Sequence, residues 1–235
     1  MHYLEINRYL FLSMIVLGIF TILSIGIYYG KEQRIKSTIG ISSNILINVD
    51  RSVLQFSHYL HVSVLNQFMK FLTEYSREYF WIFVLAIMFF FGGHDGKMAT
   101  IIMKISFLIV IPTNIIIKDI INIDRPVSSY DSFYTELQSD KSYPSGHTTI
   151  VSAGAVAAAL FFRNTYKQKL ISICLIIEAG LVCFSRLYLG VHYPFDIIEG
   201  VLLGSGISLF VASNTLIYER FLQINVSFGG KNKSA

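Results

Sequence analysis

From Tyr9 to Tyr29 the chain runs for 21 residues without a charged side chain, with Arg8 before the run and Lys31 just beyond it. A helix needs roughly 20 apolar residues to cross the hydrocarbon core of a bilayer. The run is longer than the apolar core of an ordinary signal peptide, and no small-residue cleavage site follows it, so it reads as a first membrane helix. Five further apolar segments follow: Tyr79 to Gly93, Met98 to Ile117, Thr148 to Phe162, Leu170 to Val191 and Pro194 to Tyr218. Lys104 and Pro112 interrupt the second of these, and Glu178 lies near the middle of the fourth.

Only 14% of the residues are charged and 53% are hydrophobic. A soluble domain carries about a quarter charged residues, so the polar surface is too small for water and the expected solvent is lipid. The fold class expected is therefore all-α, a polytopic membrane helix bundle of six transmembrane helices with both termini on one side. With no linker, low-complexity tract or internal repeat, residues 1–235 form one domain. In the sixth segment, Gly200 and Gly204 have the spacing that lets membrane helices approach closely.

Residues 30–78 are mixed. RSVLQFSHYLHVSVLNQFMKFL, from Arg51 to Leu72, places apolar residues at helical spacing with polar ones between. Two readings stand side by side: a helix lying in the membrane interface, or a loop helix packed on the bundle. The net charge of +4 is spread along the chain without a basic block, which points to membrane flanks and away from a nucleic-acid partner. Cys174 and Cys183 share one apolar segment, which argues against a disulfide framework and a zinc site.

Alternating six spans places residues 30–78, 118–147 and 185–193 opposite the termini, and Lys118, Arg125, Ser145, His147, Arg186, His192 and Asp196 gather at that end. Lys118 and Arg125 are two helical turns apart, on one face of a helix that Pro126 would stop. Ser145 can cap the fourth span, with Gly146 and His147 in its first turn, where free backbone N–H groups suit an anion. Pro194 suits the first turn of the sixth span, so Asp196 can orient His192 from within that turn. Singly, Lys118 and Arg186 read as interfacial flanks and His147 as a structural histidine. Together they read as a phosphate site with its own nucleophile.

KDIINIDRP (Lys118 to Pro126), PSGH (Pro144 to His147) and SRLYLGVHYPFD (Ser185 to Asp196) resemble the three signature motifs of the type 2 phosphatidic acid phosphatase superfamily. The patterns K-x6-RP, PSGH and SR-x5-H-x3-D are met in order without a departure, and the resemblance covers roughly residues 50–215. It implies an integral-membrane lipid phosphatase in which His192 is the nucleophile and forms a phosphohistidine. Asp196 would orient it, and His147 would be the general acid for the leaving oxygen. Lys118, Arg125 and Arg186 would neutralise the phosphoryl oxygens, helped by Ser145 and the Gly146 N–H. Fixed cations take the place of magnesium, so no metal or other cofactor is expected.

Outside the motifs, Asp119 and Asp124 read as solvated loop charges, Glu199 as a partner for a site cation, and Glu178 as a structural hydrogen-bonding group. The expected partners are the bilayer and a membrane lipid substrate, a polyprenyl diphosphate ahead of phosphatidic acid or phosphatidylglycerophosphate. A lipid-linked phosphotransferase and a non-enzymatic transporter or scaffold are the rival classes. Lys97, Arg163, Lys167 and Lys169 lie in short connections on the terminal side, which makes that side cytoplasmic and places the site on the outer face of the cell membrane.

Overall fold

The computed structural model describes residues 2–36, 45–58, 62–77, 79–126 and 140–214. Eight helices make up the described fold, and no strand occurs among these residues: α1 (His2–Lys36), α2 (Ile45–His58), α3 (Ser63–Tyr75), α4 (Tyr79–Phe91), α5 (Gly93–Ile121), α6 (Gly146–Phe161), α7 (Tyr166–Tyr188) and α8 (Pro194–Ser213). Each of the six apolar segments holds a helix among the described residues. Four of them (α1, α5, α7 and α8) are long and apolar enough to cross a membrane. The other two, α4 and α6, have 13 and 16 residues. At 1.5 Å per residue that is about 20 and 24 Å, short of a hydrocarbon core of about 30 Å. The expected six crossings thus resolve into four full-length helices and two shorter apolar ones.

The small residues of α6 make it the hub, packed between α5, α7 and α8. Ala153, Ala157 and Ala158 are wholly buried. A Cβ on Gly154 would stand 2.2 Å from the Trp81 ring, so glycine is what admits the indole of α4 against α6. The spaced glycines of α8 face the same helix. A Cβ on Gly204 would fall 2.1 Å from the Thr149 carbonyl oxygen, and one on Gly200 would fall 2.8 Å from that of Ser145. α1 packs along α8, with Ser13 Oγ donating to the Gly206 carbonyl at 3.0 Å.

The outer faces are apolar. Ile22, Leu108, Phe91 and Ile120 are all more than half exposed, as expected of side chains that meet lipid instead of a core. The segment expected to hold a single interfacial helix contains two, α2 and α3, and its residues 59–61 lie outside the described ones. Of the two readings of that segment, α3 combines both. It buries Met69, Leu72 and Thr73 against the bundle while Val64 and Phe71 are exposed.

Two further expectations are corrected. α5 ends at Asn122, which takes the left-handed conformation (φ 55°) and donates its N–H to the Lys118 carbonyl at 2.9 Å. Asparagine tolerates that conformation better than most residues, so the helix stops four positions before Pro126. Lys118 and Arg125 therefore do not share a helical face, and Arg125 returns from the extended stretch beyond the helix. Ser145 does stand at the N-cap of α6, but its hydroxyl makes no capping bond. It accepts instead from Thr148 Oγ1 at 3.1 Å.

Candidate active site

The C-terminal ends of α5 and α7 and the N-terminal ends of α6 and α8 come to one end of the bundle, so Lys118, His147, Arg186 and Asp196 meet there. Close packing of the glycines of α8 on α6 sets the register. It lets the Ser145 N–H donate to the Asp196 carbonyl at 3.0 Å, tying the PSGH turn to the first turn of α8. Asn114 of α5 braces the same turn, donating to Thr149 Oγ1 at 3.2 Å. From the other side Asp50 of α2 accepts the Phe195 N–H at 3.0 Å, satisfying one of the free donors at the start of α8.

His192, in the short loop between α7 and α8, is fully buried. Its Nδ1 lies 3.4 Å from Asp196 Oδ2 and 3.3 Å from the Ser142 hydroxyl, which itself donates to Asp196 Oδ2. Asp196 also accepts the Tyr193 N–H at 3.0 Å. The opposite nitrogen, Nε2, is 2.9 Å from Arg125 Nη1. Because a guanidinium only donates, Nε2 is the acceptor and the imidazole proton sits on Nδ1, facing Asp196 and Ser142. Burial pushes the His192 pKa well below its usual value, and Arg125, Arg186 and Lys118 add to the shift while Asp140 opposes it. The ring is neutral, with its lone pair aimed at the cations.

Lys118 and Arg125 converge on one carboxylate. Asp140 Oδ2 lies 2.5 Å from Lys118 Nζ, and Oδ1 lies 2.5 Å from Arg125 Nη2. Arg125 Nε donates to the Asp140 backbone oxygen at 3.0 Å, and Nη1 donates also to the Val191 carbonyl at 2.9 Å. Lys118 Nζ donates in addition to the Lys141 carbonyl. Burial opposes ionisation of Asp140, but the two cations outweigh it and hold the carboxyl at about 2. Arg186 is fully buried and donates through Nη1 to Thr73 Oγ1 of α3 at 2.6 Å. Arg186, Arg77, His192 and Arg125 all lie within electrostatic reach of His147 in the first turn of α6.

Every residue expected at the site therefore lies at this one end. Lys118, Arg125, His192 and Asp196 form a continuous chain of contacts, while Arg186 and His147 join it through the field. One expectation outside the motifs is revised. Glu199 meets no site cation among its described contacts; its Oε2 accepts from Ser24 Oγ at 3.3 Å. Ser24 Oγ also lies 2.6 Å from Tyr143 Oη. Asp124 is exposed, as expected of a loop charge, and pairs with Lys141 at 2.6 Å. Glu178 neighbours Ser76 and Trp81, away from the histidines.

Sequence reasoning missed Asp140, Ser142, Thr73 and Arg77. A signal existed for the first two, since the polar run SDKS immediately precedes YPSGH. Nothing in spacing alone marks Thr73 or Arg77, whose positions depend on how α3 docks on α7.

A neutral imidazole backed by a carboxylate, with its Nε2 lone pair turned toward fixed cations, is equipped to attack an anionic electrophile that takes over the Arg125 contact. Placed at the ends of membrane helices, it defines a class: membrane-embedded hydrolases of phosphate esters. The PAP2 superfamily model matches residues 98–217. An undecaprenyl-diphosphatase of Sulfolobus acidocaldarius is 39% identical over 83% of this chain and 86% of its own. The undecaprenyl-diphosphatase BcrC of Bacillus subtilis is 31% identical over 61% of this chain and 71% of its own. In fold, the chain is similar to the crystal structure of a transmembrane PAP2-type phosphatidylglycerolphosphate phosphatase from Bacillus subtilis. The TM-score is 0.65 at 23% identity, covering 88% of this chain and 96% of that one. This chain belongs to the PAP2 superfamily.

Proposed function

We propose that this membrane lipid phosphatase removes the terminal phosphate of a polyprenyl diphosphate through a phosphohistidine on His192. The observation that carries the reading is the His192 ring. Its Nδ1 is backed by Asp196 and Ser142, and its Nε2 lone pair faces the cation cluster. In the first step Nε2 attacks the terminal phosphorus and the bond to the bridging oxygen breaks. His147 delivers a proton to that leaving oxygen, so the lipid departs as its monophosphate. Water then attacks the phosphorus, His147 takes the proton from water, and the P–N bond breaks to release inorganic phosphate. Lys118, Arg125 and Arg186 hold the phosphoryl oxygens, with Ser145 and the Gly146 N–H completing the cradle. Three fixed cations supply the charge that magnesium brings elsewhere, so turnover should need no metal.

Two curated relatives named undecaprenyl-diphosphatases favour the polyprenyl substrate. An apolar cavity of about 370 Å³ between α1 and α5, lined by residues including Phe20, Thr21, Ser24, Ile117 and Ile120, offers room for the first part of a hydrocarbon chain. Ile117 is the residue before Lys118, which places this cavity beside the cation end of α5. The outer face remains our assignment for the site, on the distribution of Lys97, Arg163, Lys167 and Lys169 at the other end.

The test is phosphate release by detergent-solubilised protein, with EDTA present and no acceptor, from polyprenyl diphosphates, phosphatidic acid and phosphatidylglycerophosphate. The diphosphates should be preferred. Preference for a glycerolipid phosphate would replace the substrate, and release only with an acceptor would make the chain a phosphotransferase. His192→Ala should form no acid-labile phosphoenzyme. A normal phosphoenzyme in that variant would overturn the mechanism.

A further inference from the structure

Asp140 belongs to none of the three motifs, yet both cations of the first motif close on it. Its two carboxylate oxygens are divided between them, Oδ2 to Lys118 and Oδ1 to Arg125, each at 2.5 Å. This forked, two-oxygen arrangement is also how a phosphoryl group presents itself to paired cations. The exposure runs in one direction. The Asp140 side chain is 58% exposed, against 9% for Lys118 and 7% for Arg125, so the carboxylate stands at the mouth and the cations lie behind it.

The donors of Arg125 are nearly all in use. A guanidinium has five N–H groups. In Arg125, Nε is spent on the Asp140 backbone oxygen and Nη2 on its carboxylate. Nη1 is spent on the Val191 carbonyl and on His192 Nε2. Little of Arg125 is left for a substrate, and the lone pair expected to attack phosphorus is engaged by the same side chain. A phosphoryl group can lie between Lys118, Arg125 and His192 only when the Asp140 carboxylate gives up its place.

We infer that Asp140 is a specificity-determining residue that holds the phosphate position of the resting site. Its carboxylate stands in for a phosphoryl group, keeps Lys118 and Arg125 from repelling each other, and is exchanged for the substrate phosphate. This inference rests on the cradle described above. The exchange lowers the apparent affinity for every anion by the fraction of molecules in which Asp140 is still in place. A weak anion such as inorganic phosphate is therefore released after turnover. A more highly charged diphosphate, anchored also by its lipid chain, still displaces the carboxylate.

The test uses the full chain in detergent, with orthovanadate and inorganic phosphate as probes. Asp140→Asn and Asp140→Ser remove the charge without touching the residues placed in the catalytic machinery. Each should bind vanadate and phosphate about tenfold more tightly than the parent protein, read as inhibition constants and as the rise in thermal midpoint at saturating vanadate. Product inhibition by phosphate should become stronger in both. Unchanged or weaker binding in a folded variant would mean that Asp140 is a fixed support for the two cations, and would overturn the inference. The inhibition is read with any turned-over substrate, so failure of the polyprenyl assignment would leave this result standing. Failure of the parent to bind vanadate at all would overturn the cradle and this inference with it.

Discussion

His192 sits where its charged form is disfavoured twice, by burial and by the cations around it, and this has a consequence for stability. In the unfolded chain the imidazole takes up a proton near its ordinary value of about 6.5, whereas the folded ring does not. The unfolded state therefore binds more protons below that pH, and stability falls as pH drops from about 6.5 until the lowered folded value is passed. Asp140 acts in the same direction at lower pH, its contribution being lost as pH falls toward about 2. With Asp140 more than half exposed that contribution is screened and small. The thermal midpoint of the detergent-solubilised protein should decline between pH 7 and pH 5, and His192→Asn should flatten that slope. An equal slope in both proteins would show that His192 titrates normally. Ser142 supports the ring by touching both His192 and Asp196, so Ser142→Ala should lower kcat/KM about 10- to 100-fold, the usual cost of a charge-assisted contact. The expected ordering places Asp196→Asn below Ser142→Ala, and steady-state kinetics on both would reverse it if the hydroxyl were the main support. The motif residues were legible because fixed spacings tie them to helix ends. Ser142 and Asp140 were marked only as part of a polar run, because their roles arise from a long-range pairing in which the Ser142 N–H donates to the Ile123 carbonyl at 2.8 Å.

At the scale of the helices, the glycines of α8 mark two different kinds of contact. Gly204 meets backbone, since a Cβ there would lie 2.1 Å from the Thr149 carbonyl oxygen. Gly206 meets the end of a flexible side chain, Leu17 Cδ2 at 2.6 Å, which can turn away. Gly204→Ala must push α8 from α6, and overpacking of this kind typically costs about 1–3 kcal/mol. The same displacement would pull Asp196 and His192 from the PSGH turn, so activity should fall together with the thermal midpoint. Gly206→Ala should be milder in both readouts, and parity between the two variants would refute the backbone argument. The apolar helices themselves were legible from run length and composition. Helix ends were less so: Asn122 stops α5 by its left-handed conformation, a local choice that the nearby Pro126 obscured. The division of residues 45–75 into α2 and α3 was hidden for a similar reason, because the apolar spacing continues across the junction between them.

The whole molecule places its reacting groups at one end of a bundle and its apolar surface along the sides, so a lipid must present its phosphate at the end while its chain stays in the bilayer. α1 lies wholly outside the span matched by the family model, yet it supplies one wall of the cavity whose other wall is α5. Under the proposed polyprenyl reading, that arrangement would separate chemistry from chain recognition. Ile120 lines the cavity and is 61% exposed, away from the buried core and outside the phosphate cradle. Ile120→Trp should fill part of the space without disturbing Lys118, which the Asp140 contact holds on another side of α5. For a long polyprenyl diphosphate, KM should rise roughly tenfold or more, since the loss of even one methylene contact in an apolar pocket is worth about 1–3 kcal/mol. For a short, water-soluble phosphate ester that does not reach the cavity, kcat/KM should stay at the parent value, which also reports that the variant is folded. Equal effects on both substrates would place the damage in the cradle, and no effect on either would move the chain-binding surface to another pair of helices.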